Sequence, residues 1–321
     1  MTPYSDEMLN DFSDKVRWRM RHDRNPLFVT LQDRYALRGY AEERGVPTVP
    51  ILAKATSFDE LPMDDLPRTC MLKATHGSGM NLLRWEGHWY RFGDGQGLVE
   101  QDEKSFSCDR MRSRRISEEV VADVADGWLQ RVYNPEEWAY TQIPPRLVVE
   151  PFVKRADGGL VRDIRCYVFD GKVRAESVGS AFYRRRNLNV FFDRDWQVLP
   201  SSSDCRYLPD QVPERPFWFD DIVRYAEFIG AGVDFVRVDF FESSEGPLLG
   251  EVALYPHAGW LGSPSNCPQQ NAWLGAQWVG SQWDGGGWPG RRRAMIKSRI
   301  HQGKNRVHNV LRRVAALVRG R

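Results

Sequence analysis

Two pairs of apolar runs in the second half of the chain, each joined by a tight polar turn, constrain the fold more than any other feature. The runs Asp163–Phe169 and Lys172–Ser177 flank an Asp-Gly dipeptide, which is among the strongest short-range signals for a two-residue β-hairpin. The runs Phe235–Glu242 and Leu248–Leu254 flank a polar turn of Ser, Glu and Gly. Antiparallel strand pairs are therefore predicted at both places.

The remaining hydrophobic pattern predicts further helices and strands. Helices are predicted over Leu9–Met20, Gln32–Arg44, Ser117–Leu129 and Phe217–Ile229. Strands are predicted over Thr48–Ala53, Thr69–Lys73, His88–Phe92 and Arg146–Val153. Residues Trp260–Trp288 are rich in Trp, Gly, Gln and Asn without a regular period, so they are predicted to be ordered but irregular.

The charge of the chain is distributed unevenly. The 321 residues include 45 Lys and Arg and 43 Asp and Glu, but residues 291–321 hold 11 basic and no acidic side chains, so residues 1–290 carry a net charge of −9. Apolar residues at helical spacing in this tail predict a basic amphipathic helix. Such a helix can dock its apolar stripe on the protein or lie on an anionic membrane surface. Nucleic acid is not an expected partner, because the acidic remainder of the chain would repel phosphate.

Composition excludes several classes of protein. With 41% hydrophobic and 27% charged residues, the chain has the composition of a globular protein rather than a disordered one. No run approaches the roughly 18 to 20 apolar residues of a membrane-spanning helix, and no secretory signal is visible. The five cysteines are widely spaced without a C-x-x-C motif, which favours a reducing, cytoplasmic compartment.

A lysine followed by two glycines is the first candidate site. Lys73 ends a predicted strand and is followed by the loop 76–81, whose sequence is H-G-S-G-M-N. Glycines let backbone N–H groups approach an anion closely, and an ammonium group adds a point charge, as triphosphate binding requires. The spacing is not that of a Walker A motif, and a plain hairpin loop also explains these residues.

Two carboxylates on neighbouring predicted strands are the second candidate. Asp239 ends the run V-R-V-D, and Glu251 lies in the strand that follows the short turn. Mg²⁺ binds one or two carboxylates together with phosphate oxygens and water, so such a pair suits it. Alternatively, both are exposed acids at strand ends.

Two further strands carry candidate residues. The apolar run Arg146–Val153 can offer its backbone to the edge of an adenine ring, although an ordinary buried strand has the same pattern. Asp163, Arg165 and Tyr167 share one face of their strand. A cation fixed in this way is well placed to hold a phosphoryl group or a carboxylate.

In their order along the chain, these segments resemble the ATP-grasp superfamily, and locally its teichuronopeptide-synthesis (TupA-like) branch. The resemblance runs from about Gln32 to Gly262. It is carried by D-R-Y-A-L-R at 33–38, L-K-A-T-H-G-S-G-M-N at 72–81, E-W-A-Y at 137–140, V-R-V-D at 236–239 and G-E-V-A-L-Y-P at 250–256.

The resemblance implies an ATP-grasp fold, in which two α+β subdomains clasp ATP between them. An N-terminal helical or α/β segment and a C-terminal basic helix would complete the chain. The implied divisions are 1–67 for the N-terminal segment, 68–153 for the subdomain with the glycine loop, 154–262 for the subdomain with the metal site, and 263–321 for the Trp- and Gly-rich segment with the basic tail.

The resemblance also implies the role of each candidate residue. ATP and Mg²⁺ are the expected cofactors, and the expected catalytic residues are Lys73, His76 and Arg165. Residues expected to contact the nucleotide are Lys73, His76, Gly77, Ser78, Gly79 and Asn81 at the phosphates, Glu150, Pro151, Phe152 and Val153 at the adenine and ribose, and Asp163 and Arg165 at the transferred phosphoryl group. The expected metal ligands are Asp239 and Glu251, and the expected contacts to the acceptor are Arg184, Arg185, Arg186 and His257.

One residue departs from the pattern of the family. Many ATP-grasp enzymes have Asn two residues after the metal-binding Glu, and the TupA-like branch tends to have Thr, whereas this chain has Ala253. Either the two carboxylates suffice, or one metal is held more loosely, or catalytic competence is reduced.

The implied activity is that of an ATP-dependent carboxylate–amine ligase, which forms an amide through an acyl phosphate on a cell-envelope polysaccharide or peptide precursor. Its partners would be a small-molecule amine or amino acid and a carboxylate-bearing glycan or peptide, with residues 291–321 contacting the inner face of an anionic membrane. Two alternatives remain open. One is a polysaccharide glycosyltransferase that uses a sugar nucleotide, and the other is a non-catalytic homologue that binds nucleotide or polymer.

Overall fold

The structure, a computed structural model, describes residues 10–91, 114–154, 161–180, 191–199, 212–259 and 268–280. The helices are α1 (Phe12–His22), α2 (Leu27–Gln32), α3 (Ala36–Glu42), α4 (Glu118–Leu129), α5 (Trp138–Thr141), α6 (Phe219–Gly230) and α7 (Pro268–Gln277). The strands are β1 (Ala53–Ala55), β2 (Cys70–Ala74), β3 (Asn81–Trp85), β4 (His88–Arg91), β5 (Arg115–Ile116), β6 (Leu147–Pro151), β7 (Arg162–Phe169), β8 (Lys172–Ser180), β9 (Phe191–Asp193), β10 (Phe235–Ser243) and β11 (Gly246–Ala253).

These strands form two antiparallel sheets. The first sheet has the order β1-β6-β2-β3-β4-β5, and the second has the order β11-β10-β7-β8-β9. Both predicted hairpins are confirmed, since β7 pairs with β8 and β10 pairs with β11. Asp170 and Gly171 turn the first hairpin with φ angles of 49° and 73°, the left-handed conformation that a tight two-residue turn requires.

Alternation along β2 separates the core of the first sheet from a cleft. Leu72 and Ala74 are fully buried in one apolar cluster with Val121 and Ala125 of α4. Lys73 is only partly buried and lies on the opposite face, because successive side chains of a strand point to opposite sides of the sheet. One face of the first sheet is therefore hydrophobic core, and the other can carry polar chemistry.

Helices cover both faces of the second sheet. On one face, α6 approaches so closely that a Cβ on Gly230 would lie 2.6 Å from the Cγ1 of Val168. On the other face, the ring of Phe12 in α1 contacts the rings of Tyr167 and Phe235 with centroids 6.0 and 4.9 Å apart. The face of this sheet that α1 packs against is thus apolar beneath α1, and the part of the same face that α1 does not cover is polar.

Buried cations of α1 tie the beginning of the described chain to its end. The Lys15 ammonium donates to the carbonyl oxygens of Gly275 at 2.9 Å and Trp278 at 2.7 Å, which satisfies groups that the end of α7 leaves unpaired. Arg19 is fully buried, donates to the Phe235 carbonyl at 2.7 Å and pairs with Asp234. Both terminal helices are therefore anchored to the second sheet.

A short connecting segment is hydrogen-bonded to both sheets. The Leu249 N–H of β11 donates to the Pro47 carbonyl at 2.8 Å, and the Val49 N–H donates to the Leu249 carbonyl at 3.3 Å. A few residues later, β1 pairs with β6 of the first sheet. This segment holds the two cleft faces at a fixed separation.

Three predictions of secondary structure are wrong. The strand predicted over Thr48–Ala53 is not formed, because Thr48 makes only an isolated bridge to Leu249 and β1 begins at Ala53. The helix predicted over Gln32–Arg44 is interrupted, because Asp33 is extended and its carboxylate accepts the Tyr35 N–H at 2.8 Å, forming an Asx turn between α2 and α3. The segment predicted to be irregular over Trp260–Trp288 contains α7. The helical hydrophobic period of α7 is not visible in the sequence because a polar residue, Asn271, occupies a buried position. The Asn271 Oδ1 accepts a hydrogen bond from the backbone N–H of Ser13 at 3.0 Å.

In the parts of the chain that the structure describes, no helix is long and apolar enough to cross a membrane. The predicted basic helix within 291–321 and the cluster Arg184, Arg185 and Arg186 lie outside the described residues.

Glu176 is a fully buried acid in β8. It lies opposite Cys166 of β7 and Phe192 of β9, and neither of its carboxylate oxygens has a hydrogen-bond partner among the described residues. Burial, reinforced by the charge of Asp193, raises the pKa of Glu176 to about 9. The side chain is therefore a neutral carboxylic acid at pH 7.

Glu176→Gln is expected to stabilise the protein increasingly as the pH rises from about 5 to 9. The unfolded chain releases the proton near the ordinary Glu pKa of about 4.3, whereas the folded protein keeps it, so wild type loses roughly 1.4 kcal/mol of stability per pH unit relative to the variant. Urea unfolding of both proteins at pH 5, 7 and 9 measures the difference. A difference that does not change with pH would contradict the assignment of a buried proton to Glu176.

Candidate active site

A buried carboxylate holds two cations at the centre of the cleft face of the first sheet. Lys73 Nζ donates to Glu150 Oε2 at 2.5 Å, and Arg38 of α3 donates to Glu150 Oε1. The Glu150 side chain is 1% exposed. Burial alone would raise its pKa, but Lys73 and Arg38 bring the pKa of Glu150 below its ordinary value. Both carboxylate oxygens are engaged, so Glu150 fixes the position of the Lys73 ammonium.

The glycine loop between β2 and β3 is held from three sides. The Ala74 N–H donates to the Met80 carbonyl at 3.0 Å and closes the loop. His76 is buried, with Nε2 2.9 Å from the Trp128 carbonyl at the end of α4. At Gly77, a Cβ would lie 2.8 Å from the Met80 sulfur and 3.0 Å from the Cβ of Tyr133, so a larger residue there would displace the Met80 side chain.

The outer part of this loop presents backbone N–H groups. The Gly77 carbonyl accepts a hydrogen bond from the guanidinium of Arg34. Since C=O and N–H point in opposite directions across a trans peptide, the Ser78 N–H points away from Arg34. Ser78 and Gly79 are exposed, and Gly79 has a φ of +71°. Exposed amides of this kind suit an anionic ligand.

The second sheet brings the two predicted carboxylates together. Asp239 of β10 lies directly opposite Glu251 of β11, and a β-bulge follows immediately at Gly250. Arg237 donates to both oxygens of Asp239, at 2.8 and 2.6 Å, and to Glu251 Oε1 at 3.3 Å. A Cβ on Gly250 would lie 2.8 Å from the Phe241 ring, so a larger residue at the bulge would displace that ring.

Asp239 and Glu251 differ in charge state. Burial, together with Asp163 and Glu251, raises the pKa of Asp239 to about 7 even though Arg237 lies beside it. Burial would also raise the pKa of Glu251, but the guanidinium groups of Arg34 and Arg237 lower it. A further cation at this pair would therefore favour the ionised form of Asp239.

The carboxylate pair fits a magnesium ion. Within the described ranges, no three His, Cys, Asp or Glu side chains are arranged to hold a metal. Mg²⁺ needs only one or two protein carboxylates when phosphate oxygens and water complete its coordination. Asp239 and Glu251 provide hard oxygen donors, and they lie directly opposite each other on neighbouring strands. Ala253 offers no third ligand.

Contacts across the cleft place these two groups of residues in one site. Arg34 donates to the Ala74 carbonyl of the first sheet at 3.0 Å and to Glu251 Oε2 of the second sheet at 3.2 Å. Lys73 Nζ lies 6.0 Å from the centroid of the Phe241 ring in β10. The lysine, the glycine loop and the carboxylate pair, which are far apart in sequence, are thus parts of a single cleft.

Arg165 lies beside the carboxylate pair. In the β7–β10 register it is directly opposite Asp239, and it donates to Asp163 Oδ2 through Nε at 2.9 Å and through Nη2 at 2.8 Å. The charge of Asp163, which outweighs the effect of burial, raises the pKa of Arg165. Its side chain is 23% exposed, so the guanidinium remains accessible from the cleft.

An apolar patch adjoins Lys73 on the same face of the first sheet. Met71, Leu83 and Tyr90 form a small buried cluster against which Trp85 and Phe152 pack. The rings of Trp85 and Phe152 meet edge to face with centroids 5.3 Å apart. Along β2, the cleft therefore changes from apolar at Met71, to cationic at Lys73, to a loop of exposed amides.

The remaining predicted residues lie as follows. Asn81 begins β3 directly opposite Lys73, whereas Pro151 and Val153 are half-buried beside Phe152. His257 is exposed in the turn Pro256–Gly259 that packs on α1, and has a φ of 53°.

Sequence reasoning assigned no role to three arginines of the cleft. Arg237 lies two residues before Asp239, so strand periodicity alone would have placed both on one face. Arg34 and Arg38 belong to the segment 33–38 that carries the resemblance, but the sequence does not show that this segment crosses the cleft. Their partners, Glu251 and Glu150, are more than 100 positions away.

One family model matches the chain. The family model described as TupA-like ATPgrasp matches residues 107–279, more than half of the chain. The matched range includes Glu150, Arg165, Asp239 and Glu251, whereas Lys73 and the glycine loop precede it. No curated protein sequence matches the chain.

Several solved ligase structures are similar to parts of this chain. D-alanine–D-alanine ligase from Bacillus anthracis, complexed with ATP, has 13% identity and a TM-score of 0.35 and covers 70% of this chain and 54% of its own. N5-carboxyaminoimidazole synthetase from Staphylococcus aureus, complexed with ADP, has 12% identity and a TM-score of 0.42 and covers 78% of this chain and 52% of its own. The chain therefore spans about half the length of these proteins.

Removing the charge of Glu150 is expected to cost about 3 kcal/mol of stability, because Glu150→Gln leaves Lys73 and Arg38 buried without their counter-charge. In a double-mutant cycle with Lys73→Met, the two substitutions should couple by at least about 1 kcal/mol. Urea unfolding measures all four proteins. Glu227→Gln is the matched control, since Glu227 also pairs with two cations, Lys172 and Arg194, that are half exposed; it should cost under about 1 kcal/mol. Equal losses for the two glutamates would contradict the assignment.

Proposed function

This chain belongs to the TupA-like ATP-grasp family, and we propose that it is an ADP-forming carboxylate–amine ligase that acts on a cell-envelope polysaccharide or peptide precursor. The observation that carries the proposal is the single cleft in which Lys73 and the glycine loop lie across from Asp239 and Glu251, with Arg34 bonded to both sides. Family membership supports the predicted ATP-grasp fold, and the two antiparallel sheets with helices are consistent with it.

The polarity of the cleft supports one orientation of ATP. We place the adenine against the apolar patch near Phe152 and Val153, because an aromatic heterocycle needs apolar cover and a backbone edge. The phosphates then follow β2 to Lys73 and the amides of Ser78 and Gly79. In this orientation the terminal phosphate reaches the carboxylate pair of the second sheet.

The carboxylate pair is the proposed magnesium site. Asp239 and Glu251 would hold the ion, which when bound neutralises negative charge on the phosphates. Arg237 touches both carboxylates and keeps them side by side.

In this reaction the protein mainly positions the substrates and supplies positive charge. In such a ligation the substrate carboxylate is phosphorylated by ATP, the amine then displaces phosphate from the acyl carbon, and an amide, ADP and phosphate are released. Lys73, Arg165 and Arg237 supply a cationic field in which charge on the transferred phosphoryl group is stabilised. His76 is buried against α4 and acts by positioning the glycine loop.

The acceptor is the least defined part of the proposal. We propose that Arg184, Arg185 and Arg186, which lie outside the described residues, and the exposed His257 contact a carboxylate-bearing glycan or peptide, with a small amine or amino acid as the second substrate. The described cysteines Cys70 and Cys166 are buried and free, which is consistent with a cytoplasmic protein. Residues 291–321 would bring it to the inner face of the membrane.

Nucleotide binding tests the proposal without knowledge of the acceptor. Mg²⁺ with a non-hydrolysable ATP analogue at about 100 times its Kd should add roughly 2.7 kcal/mol to the stability of wild type, a rise of several degrees in Tm. Lys73→Met should abolish most of this rise. Lys172→Met is the matched control, because Lys172 pairs with Glu227 on the surface, and it should shift like wild type.

Three outcomes decide between functions. A shift in wild type that Lys73→Met lacks supports the ligase and justifies screening acceptors by ADP release, which Asp239→Asn and Glu251→Gln should abolish. Stabilisation by a sugar nucleotide but not by the ATP analogue would favour the glycosyltransferase instead. Binding of the analogue with no ADP release for any acceptor would favour a non-catalytic homologue.

A further inference from the structure

Arg34 is bonded to both walls of the cleft. Its Nη1 donates to the carbonyl oxygens of Ala74, at 3.0 Å, and of Gly77, while its Nη2 donates to Glu251 Oε2 at 3.2 Å. Its own backbone N–H donates to the Thr75 carbonyl at 3.4 Å. The side chain is 10% exposed. This residue therefore holds the base of the glycine loop and one carboxylate of the second sheet at the same time.

The shape of the guanidinium group explains why arginine suits this position. Its N–H donors form a rigid planar fork, whereas the single ammonium of lysine acts as a point charge. Nη1 donates to two loop carbonyls and Nη2 donates to Glu251. The distance between the loop and the Glu251 carboxylate is therefore set by the distance between the two nitrogens of the guanidinium group. Moving either wall would break one set of hydrogen bonds.

Arg34 also determines which way the loop peptides face. By accepting from Arg34, the Gly77 carbonyl is turned toward the guanidinium, so the amide of Ser78 points away from it. Without Arg34, the same peptide could rotate and present a carbonyl oxygen, which would repel a phosphate group.

We propose that Arg34 is a positioning residue for nucleotide binding: it orients the glycine-loop amides toward phosphate and fixes Glu251 at the matching distance. The inference rests on the proposed function, because it takes the loop to be a phosphate site. If Arg34 had a purely structural role, replacing it would lower the stability of the protein and leave the nucleotide affinity of the folded protein unchanged.

The test compares Arg34→Met with Arg44→Met, an arginine of the same region whose guanidinium bonds the Tyr40 carbonyl and stacks on the Tyr40 ring, away from the cleft. Calorimetry with Mg²⁺ and AMP-PNP, well below the Tm of each variant, measures affinity separately from stability. Arg34→Met should weaken binding at least tenfold, and Arg44→Met should match wild type within twofold. Hydrogen exchange without nucleotide should show faster exchange of amides 74–82 in Arg34→Met only.

Each outcome bears on one of the two proposals. Wild-type affinity in Arg34→Met, or unchanged exchange of amides 74–82, overturns the role of Arg34. If wild type binds no analogue while Arg34→Met still loosens the loop, the proposed function fails but the contact of Arg34 with the loop is upheld. Should Arg34→Met not fold, Arg34→Lys replaces it; binding weakened at least threefold supports the proposal, and wild-type affinity overturns it.

Discussion

Between the two sheets, carboxylates and cations neutralise one another, and the rest of the structure depends on this pairing. All of these groups are largely removed from water except Glu251, whose side chain is 39% exposed. Glu150 is flanked by Lys73 and Arg38, and Glu251 is flanked by Arg34 and Arg237. A buried charge without a partner costs several kcal/mol, so each side chain is held where its partner lies. Because the partners come from both sheets and from the α2–α3 connection, the pairing also fixes the shape of the cleft.

The surrounding fold keeps these partners in register. The segment after α3 adds to the edge of the second sheet at Leu249 and then enters the first sheet as β1, so the two walls cannot separate freely at this edge. Separately, the buried ammonium of Lys15 in α1 anchors the end of α7. The paired charges are thus held between the two sheets, while Ser78 and Gly79 of the glycine loop are exposed.

Local sequence patterns were sufficient for the hairpins and for the neighbouring positions of Asp239 and Glu251. Lys73, Asp239 and Glu251 were predicted because their strands, glycines and spacing are local features, and the structure brings them into one cleft. The cleft roles of Arg34 and Arg38 could not be predicted, since their partners are distant in sequence and their helical segment is broken by an Asx turn at Asp33. Likewise, α7 was missed because tertiary hydrogen bonds bury its polar side chains, which hides the helical period.

The measurement that tests the account most directly is a crystal structure of the full chain with Mg²⁺ and a non-hydrolysable ATP analogue. The account predicts the adenine against the apolar patch beside Phe152, the phosphates between Lys73 and the Ser78 amide, and the metal ion on Asp239 and Glu251. A nucleotide bound elsewhere, or bound in the cleft with its phosphates away from Lys73 and the carboxylate pair, would contradict it.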